Sequence, residues 1–498
     1  MLNLYIRNAA VFHVFAIVAM FTWICGGIRA DLLVSVMPWF LLVLFTGMLF
    51  FPQVRHTETI VDARQRVWRG IVHDPLTWVS VALLVLLAIP FVNKGLCPVC
   101  DAELIASGAD PAPPVKFLPF CVDRVDHYGV YQWFLPLLTA TIAAKHSLLK
   151  RGKRMLLEMS VWNAVALAIL GFVQQATGAQ SPLWYGDPLG CYFFSAWGYP
   201  NMAGDYFTFM FIVSVGIWQY RVTQVANAPR EREFESIQGP KYRLLTAHYM
   251  LLPALLLFVA ALDTLSRAAI ILSISLFFTG FLFVFFGYFD KASRANKLKM
   301  CILAAIALVV ASFVAVTFAP KDLKTEAADI SGDAVLQRVG GKGQYHQRVA
   351  TVIFKEYPAF GVGGWGYKHL CTSYMTPEEL KHIQKIGGVN VHDDYIQFCC
   401  EHGFVGAGLM LAILVLLALP LVRSWRRMYN WALFAPPGRA PAKPLAIYCV
   451  PPPVICVCLG CVATFIHSFG DCAMRCPSVL CNLVLGLVCT DGYFPRER

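Results

Sequence analysis

The chain has 498 residues and a formal net charge of +11. Charged residues are only 14% and apolar ones 58%, against roughly 25% charged in an ordinary soluble protein, and the mean hydropathy is +0.59. That is too little charge to clothe a soluble surface, and the same figures exclude disorder, collagen-like repeats and a small disulfide scaffold.

The expected fold class is all-α, a polytopic membrane protein of about twelve spanning helices, since a span needs about 20 mostly apolar residues. Such runs occur at 9–28, 32–52, 76–93, 130–149, 155–175, 202–220, 248–265, 268–289, 300–319, 402–422, 445–467 and 474–490. The first follows a single Arg7 and has no small-residue cleavage site before Asp31, so it reads as an uncleaved anchor. With a cytoplasmic N-terminus, the inner segments collect 26 Lys and Arg and the short outer ones 6, which puts both chain ends in the cytoplasm. Three long segments then face outward: 94–129, 176–201 and 320–401. The expected organisation is 1–319 as nine spans with two outer loops, 320–401 as an outer catalytic loop, and 402–498 as three spans and a tail. The basic residues are dispersed over many loops, which argues against nucleic acid as a partner.

Of 17 cysteines, those inside the spans read as small apolar packers. Cys97, Cys100 and Cys121, with His127 nearby, lie in an outer loop. Their spacing admits zinc, an oxidising compartment favours disulfides, and free thiols are the third alternative.

In the late outer segment, YHQRVATVIFKEY (345–357) places Tyr345, Val349, Val352 and Ile353 on one helical face, as in an amphipathic helix lying at the membrane surface. Pro358 and the glycines of 360–366 end it. Thr376-Pro377-Glu378-Glu379 is a helix start: a cap, a proline at the first position, then acids at the positive end. That helix stops at Gly387-Gly388, and the chain re-enters a helix at His392.

Three features carry chemistry. Arg267 lies in the tight turn DTLSRAA (263–269) between two spans, either snorkelling to the interface beside Asp263 or presenting a guanidinium to a lipid-borne phosphate. Arg348, with Arg338 and His346 near it in sequence, is either a solvated charge or a second phosphate cation. His392, followed by Asp393 and Asp394, is either a structural residue at a helix start or a neutral imidazole able to accept a proton. Together they describe cations for a diphosphate and a base for a hydroxyl. No Walker, HExxH or G-x-S-x-G motif accompanies them, and Asp123 with Asp126 is a poor match to the aspartate pair of a metal-dependent glycosyltransferase.

Five elements in order resemble the bacterial O-antigen ligase and O-antigen polymerase-like superfamily. They are GYPNMAGDY (198–206), DTLSRAA (263–269), RVATVIFKEYPAFGVGGWG (348–366), HDDYIQFCCEHGFVG (392–406) and FIHSFGDCAMRCP (465–477). The chain departs from the family pattern in having Asp393 where an asparagine is frequent, a single Asn201 after Pro200, and Ala268 after Arg267. The 94–129 loop is outside the resemblance.

The resemblance implies a metal-independent, inverting glycosyltransferase of the bacterial inner membrane, needing no cofactor and active on the periplasmic side. The donor would be a glycan on undecaprenyl diphosphate. The acceptor would be a hydroxyl of the lipid A–core in a ligase, or of another lipid-linked glycan in a polymerase, with membrane lipids around both. It implies catalytic roles for His392, Arg348 and Arg267, and substrate binding by Arg338, His346, Asn201, Asp393, Asp394, Tyr395 and Arg475. A flippase or permease for a lipid-linked sugar is the rival from another class. Transporters place charges near mid-membrane and repeat their halves, whereas here the charges gather at one surface.

Overall fold

The structure is a computed structural model describing residues 2–24, 40–41, 43–44, 47, 50–96, 101–108, 113, 115, 117–185, 187–189, 192–226, 248–289, 343–386, 390–434 and 450–494. In chain order these carry α1 (Leu2–Trp23), α2 (Ile60–His73), α3 (Pro75–Ala88), the short α4 (Ala102–Ala106) and α5 (Arg124–Ser147). There follow α6 (Lys150–Ala176), α7 (Pro200–Ala226), α8 (Leu251–Asp263) and α9 (Arg267–Phe289). The remainder forms α10 (Gly343–Glu356), α11 (Gly366–Leu370), α12 (Pro377–Ile386), the long α13 (Asp394–Phe434), α14 (Pro452–His467) and α15 (Pro477–Thr490). The described residues contain no strand, only isolated bridges of Lys94 with Cys121 and Phe194 with Trp197, so the protein is all-α.

Among the described helices, α6 and α13 are long and apolar enough to cross a membrane, and the bent pair α2–α3 makes a third if it is one span. Helices α1, α8, α9, α14 and α15 are apolar but shorter over their described parts. The expected span 300–319 and most of 32–52 lie outside the described residues.

The segment 53–75, read from sequence as an inner connection, holds α2. Its start is a capping box: Asp62 N–H donates to Thr59 Oγ1 at 3.2 Å, and Thr59 N–H to Asp62 Oδ2 at 3.1 Å. Asp74 then caps α3 through Leu76 N–H, with Pro75 at the first helical position. Ending one helix and starting the next at a single residue produces the 62° bend between them.

The chain divides into two compact units. One comprises Met1–Leu157, Val335–Val422 and Thr464–Gly492; the other comprises Glu158–Ala334, Arg423–Ala463 and Tyr493–Arg498. In the first unit α5 is the axis, packed by α1, α2, α3 and α15 through Val130, Trp133, Phe134, Leu137 and Ala140, all buried. In the second unit α7 is flanked by α8 and α9. Small residues let these helices close up, as in membrane interiors generally. A Cβ on Gly204 would stand 2.5 Å from Ala269 Cβ and 3.0 Å from Ser266 Cβ, so the 198–206 and 263–269 motifs meet there.

Candidate functional site

In the first unit the chain from α10 to the start of α13 folds on a small core. Val349, Ala350 and Ile353 of α10 are fully buried with Val122, Val362, Tyr367, Val391 and Cys400. Half of the face expected to meet lipid therefore meets protein, while Tyr345 and Val352 stay exposed.

Arg348 leaves this helix toward α12. Its Nε donates to Glu379 Oε1 at 2.9 Å and its Nη2 to Glu379 Oε2 at 2.5 Å. Nη2 also reaches the Tyr374 carbonyl at 3.3 Å. The same carboxylate accepts Thr376 N–H at 2.8 Å, and Thr376 Oγ1 accepts Glu379 N–H at 3.3 Å, so the expected helix start is a capping box. The Arg348 hydrogen bonds hold the buried Glu379 carboxyl below its ordinary range. The Arg348 side chain is 45% exposed; a phosphate meeting it would share the guanidinium with Glu379.

His346 turns inward. Its Nδ1 lies 2.6 Å from the Tyr367 hydroxyl. Burial, helped by repulsion from His392, lowers its pKa to about 4, so it is neutral near pH 7 and lies close to His392.

Helix α13 begins under Asp393, whose Oδ1 accepts the N–H groups of Tyr395 and Ile396 at 3.0 Å each. Asp393 is thus the N-cap, and His392 precedes the helix instead of opening it as the sequence suggests. His392 has φ +55, a left-handed conformation uncommon outside glycine. Such a conformation persists only where its surroundings hold it, and it recurs at functional sites. Its Nδ1 faces Asp471 Oδ1 at 3.4 Å, the loose end of the hydrogen-bond range. Asp471 is buried and also accepts Cys472 N–H at 2.7 Å. Burial pushes its pKa up, but the His392 hydrogen bond and the nearby His467 and His392 rings outweigh burial and bring it to about 2. An ionised Asp471 beside Nδ1 favours the tautomer with its proton there, leaving Nε2 as a proton acceptor.

The remaining residues of this region are tied to one another. Asp394 is buried and accepts Met474 N–H at 2.7 Å. The Tyr395 hydroxyl donates to the Phe465 carbonyl at 2.9 Å. Arg475 pairs with Glu401 through two bonds, at 3.1 and 2.8 Å, with its guanidinium 4.0 Å from the Trp365 ring centroid.

A break in α13 carries the whole arrangement. Gly403 has φ +63 and ψ −172, a conformation open only to glycine. The break frees backbone groups on both sides, which must find partners. The loop after α10 supplies them. Val362 and Gly363 N–H donate to the Cys400 and Glu401 carbonyls at 3.2 and 2.8 Å, and Phe404 and Val405 N–H donate to the Pro358 and Ala359 carbonyls at 2.8 and 3.1 Å. The approach is so close that a Cβ on Gly361 would fall 2.4 Å from the Glu401 carbonyl carbon. The 358–366 and 392–406 motifs are therefore two halves of one backbone joint, which sets α10 with Arg348 against the α13 start that follows His392.

In the second unit, Arg267 is the first residue of α9, after the Ser266 hydroxyl that accepts Ala269 N–H at 3.3 Å. Asn201 opens α7 near that turn, buried, with Nδ2 donating to the Tyr199 hydroxyl at 3.0 Å. Arg338, Cys97 and Cys100 lie outside the described residues.

Among the described residues two groupings have metal-ligand chemistry, His392–Asp471–Cys472 and Asp123–Asp126–His369. In the first, burial holds the Cys472 thiol protonated well above its ordinary range. In the second, Lys368 already stands 3.0 Å from Asp126. The zinc reading of the cysteine loop loses a ligand. His127 Nδ1 accepts Gly364 N–H at 2.8 Å while Nε2 faces the Leu87 carbonyl at 2.8 Å, so both ring nitrogens are taken. Cys121 is a free, buried thiol donating to the Pro90 carbonyl.

In the sequence Asp471 stands out only as part of the last motif and Glu379 only as an acid at a helix start. The signals for both were there: a motif position without a role, and a Thr-x-x-Glu pair. No curated protein matches the chain. Residues 252–411 match the family model described as O-Antigen ligase, a segment that contains Arg267, Arg348, His392 and the Gly403 joint. That match supports a likeness to the O-antigen ligase-like superfamily over those residues.

Proposed function

We propose that this protein is a multi-pass inner-membrane glycosyltransferase of the ligase type. It moves a glycan from undecaprenyl diphosphate to a hydroxyl of the lipid A–core at the periplasmic face, without metal or cofactor. The observation that carries the reading is the His392–Asp471 pair: a half-exposed imidazole in a conformation that must be held in place, backed by a buried carboxylate. His392 Nε2 takes the acceptor proton as the oxygen attacks the anomeric carbon, and Asp471 stabilises the imidazolium that forms. Attack opposite the departing lipid diphosphate inverts that carbon. Arg348 meets the charge that develops on the phosphate oxygens; the roles of Arg267 and Arg338 toward phosphate rest on the resemblance alone. Asp393, Asp394, Tyr395, Arg475 and His346 shape the surroundings of His392 through the bonds described above, and a substrate-binding role for Asn201 rests on the resemblance alone. Polymerisation onto a second lipid-linked glycan uses the same chemistry with another acceptor.

The test is His392→Asn in reconstituted protein with lipid-linked donor and acceptor. Asparagine tolerates a left-handed backbone, so the variant removes the base with little strain. Transfer is expected to fall about 10²–10⁴-fold with donor affinity and Tm unchanged. Transfer near the wild-type rate would remove His392 from the mechanism.

A further inference from the structure

The second unit contains a pocket of about 220 Å³ at the end of α6. Its floor is a helix terminus of defined geometry. Gly178, at φ +64, lets Ala179 N–H reach the Gln174 carbonyl at 2.9 Å and its own N–H reach the Gln175 carbonyl at 3.2 Å, the paired bonds of a Schellman cap. The cap turns the chain back over the last turn of α6, and Leu189 and Tyr192 close the other side.

The Gln174 side chain lines this pocket and is 1% exposed, yet neither its Nε2 nor its Oε1 meets a partner among the described residues. Buried amides are nearly always bonded, so a carboxamide with both a donor and an acceptor on offer at a pocket wall marks a place for a ligand with matching groups. Among the described residues no lining side chain is charged, which offers a diphosphate no cation and points to a neutral ligand. Tyr192, 37% exposed, and Phe193 add aromatic surface. Amides that donate and accept, beside aromatic rings, suit a pyranose, whose hydroxyls do both and whose C–H face lies on a ring. The volume suits one such ring.

The pocket is also wired to the Arg267 turn. Gln175 Nε2 donates to the Tyr192 hydroxyl, which in turn donates to the Asp263 carbonyl at the head of that turn.

We propose that this pocket is a sugar subsite in which the Gln174 carboxamide binds the hydroxyl or acetamido group of one neutral pyranose of a glycan substrate. The proposal rests on the glycosyltransferase reading for the identity of the glycan, and on the pocket alone for the sugar. It is tested on the full chain in nanodiscs by saturation-transfer NMR with free glucose, galactose, mannose, rhamnose, N-acetylglucosamine and N-acetylgalactosamine. At least one sugar is expected to bind, with affinity about tenfold lower in Gln174→Leu and lost in Leu189→Trp, which fills the pocket from its exposed rim. Because Gln174 has no side-chain partner among the described residues, the leucine variant is expected to keep or raise Tm; the tryptophan variant provides the test should it misfold.

In transfer assays a raised KM for the donor with kcat retained assigns the subsite to the donor glycan, and a raised KM for the acceptor assigns it to the acceptor. Binding of none of the six sugars, equal binding in both variants and wild type, or unchanged KM for both substrates would overturn the proposal. Sugar binding lost in Gln174→Leu, in a protein that transfers no glycan, would keep the subsite and remove the glycosyltransferase reading.

Discussion

At the scale of single residues, His392 and Arg348 each meet a carboxylate distant in sequence. Asp471 faces the His392 imidazole, and Glu379 grips Arg348. The second pairing changes what a substitution at Arg348 does. Arg348→Ala removes the proposed phosphate cation and also leaves the buried Glu379 carboxylate without its strongest donor. Transfer is expected to be lost, with a stability cost of about 1–3 kcal/mol for the stranded group, toward the lower end because Arg348 is 45% exposed. Arg348→Lys restores charge but cannot bond both carboxylate oxygens and still offer an edge to phosphate. It is expected to recover Tm more than transfer. Measuring kcat and Tm on the same preparations separates these effects, and a lysine variant with near-normal transfer would show that a point charge is enough.

Elements show how the site is assembled. Helix α13 is continuous in the sequence pattern but broken in space at Gly403, and the loop after α10 bonds to both edges of the break. Gly403→Ala would place a Cβ 2.3 Å from the Ala359 carbonyl carbon, in a conformation alanine avoids. The expected loss is about 3 kcal/mol or more, read as reduced Tm or failure to accumulate, together with lost transfer as α10 and α13 separate. Gly408→Ala, five residues further along the same helix, meets nothing within 4 Å and is the control expected to be neutral. Equal Tm for the two variants would contradict the role of the joint. Helix α10 illustrates a related point. Its apolar stripe reads equally well against lipid or protein, and only the packing of Val349 and Ile353 against Val362, Tyr367 and Val391 chooses between them.

For the whole molecule, the distribution of basic residues sets the expected topology. With 26 Lys and Arg on the inner segments against 6 on the short outer ones, both termini are expected in the cytoplasm and 320–401 outside. A cysteine placed at position 330, on a background without other reactive outer thiols, should label in whole cells. Labelling only after the inner membrane is permeabilised would reverse the orientation and put the His392 region on the wrong side for a periplasmic reaction.

How much of this was legible in the sequence follows from the range of the forces involved. Composition and hydropathy gave an all-helical membrane protein, because lipid leaves the backbone few other ways to satisfy itself. Local signals gave the Thr376 cap, the end of α10 at Pro358 and the short turn before Arg267, since caps and turns depend on neighbours within a few residues. Ordered motifs gave His392, Arg348 and Arg267 as residues to watch. Tertiary structure alone decided that Asp471 rather than Asp393 faces the histidine, that Asp393 is a cap, and that Glu379 holds Arg348. It also decided that Gly361 and Gly403 are two sides of one joint, and that the Gln174 carboxamide is buried without a partner among the described residues. Each of these is a contact between groups from 31 to 79 positions apart, or a burial, or a choice among neighbouring carboxylates of the same chemistry. Residue type and spacing say what such groups can do, and the folded chain settles which of them meet.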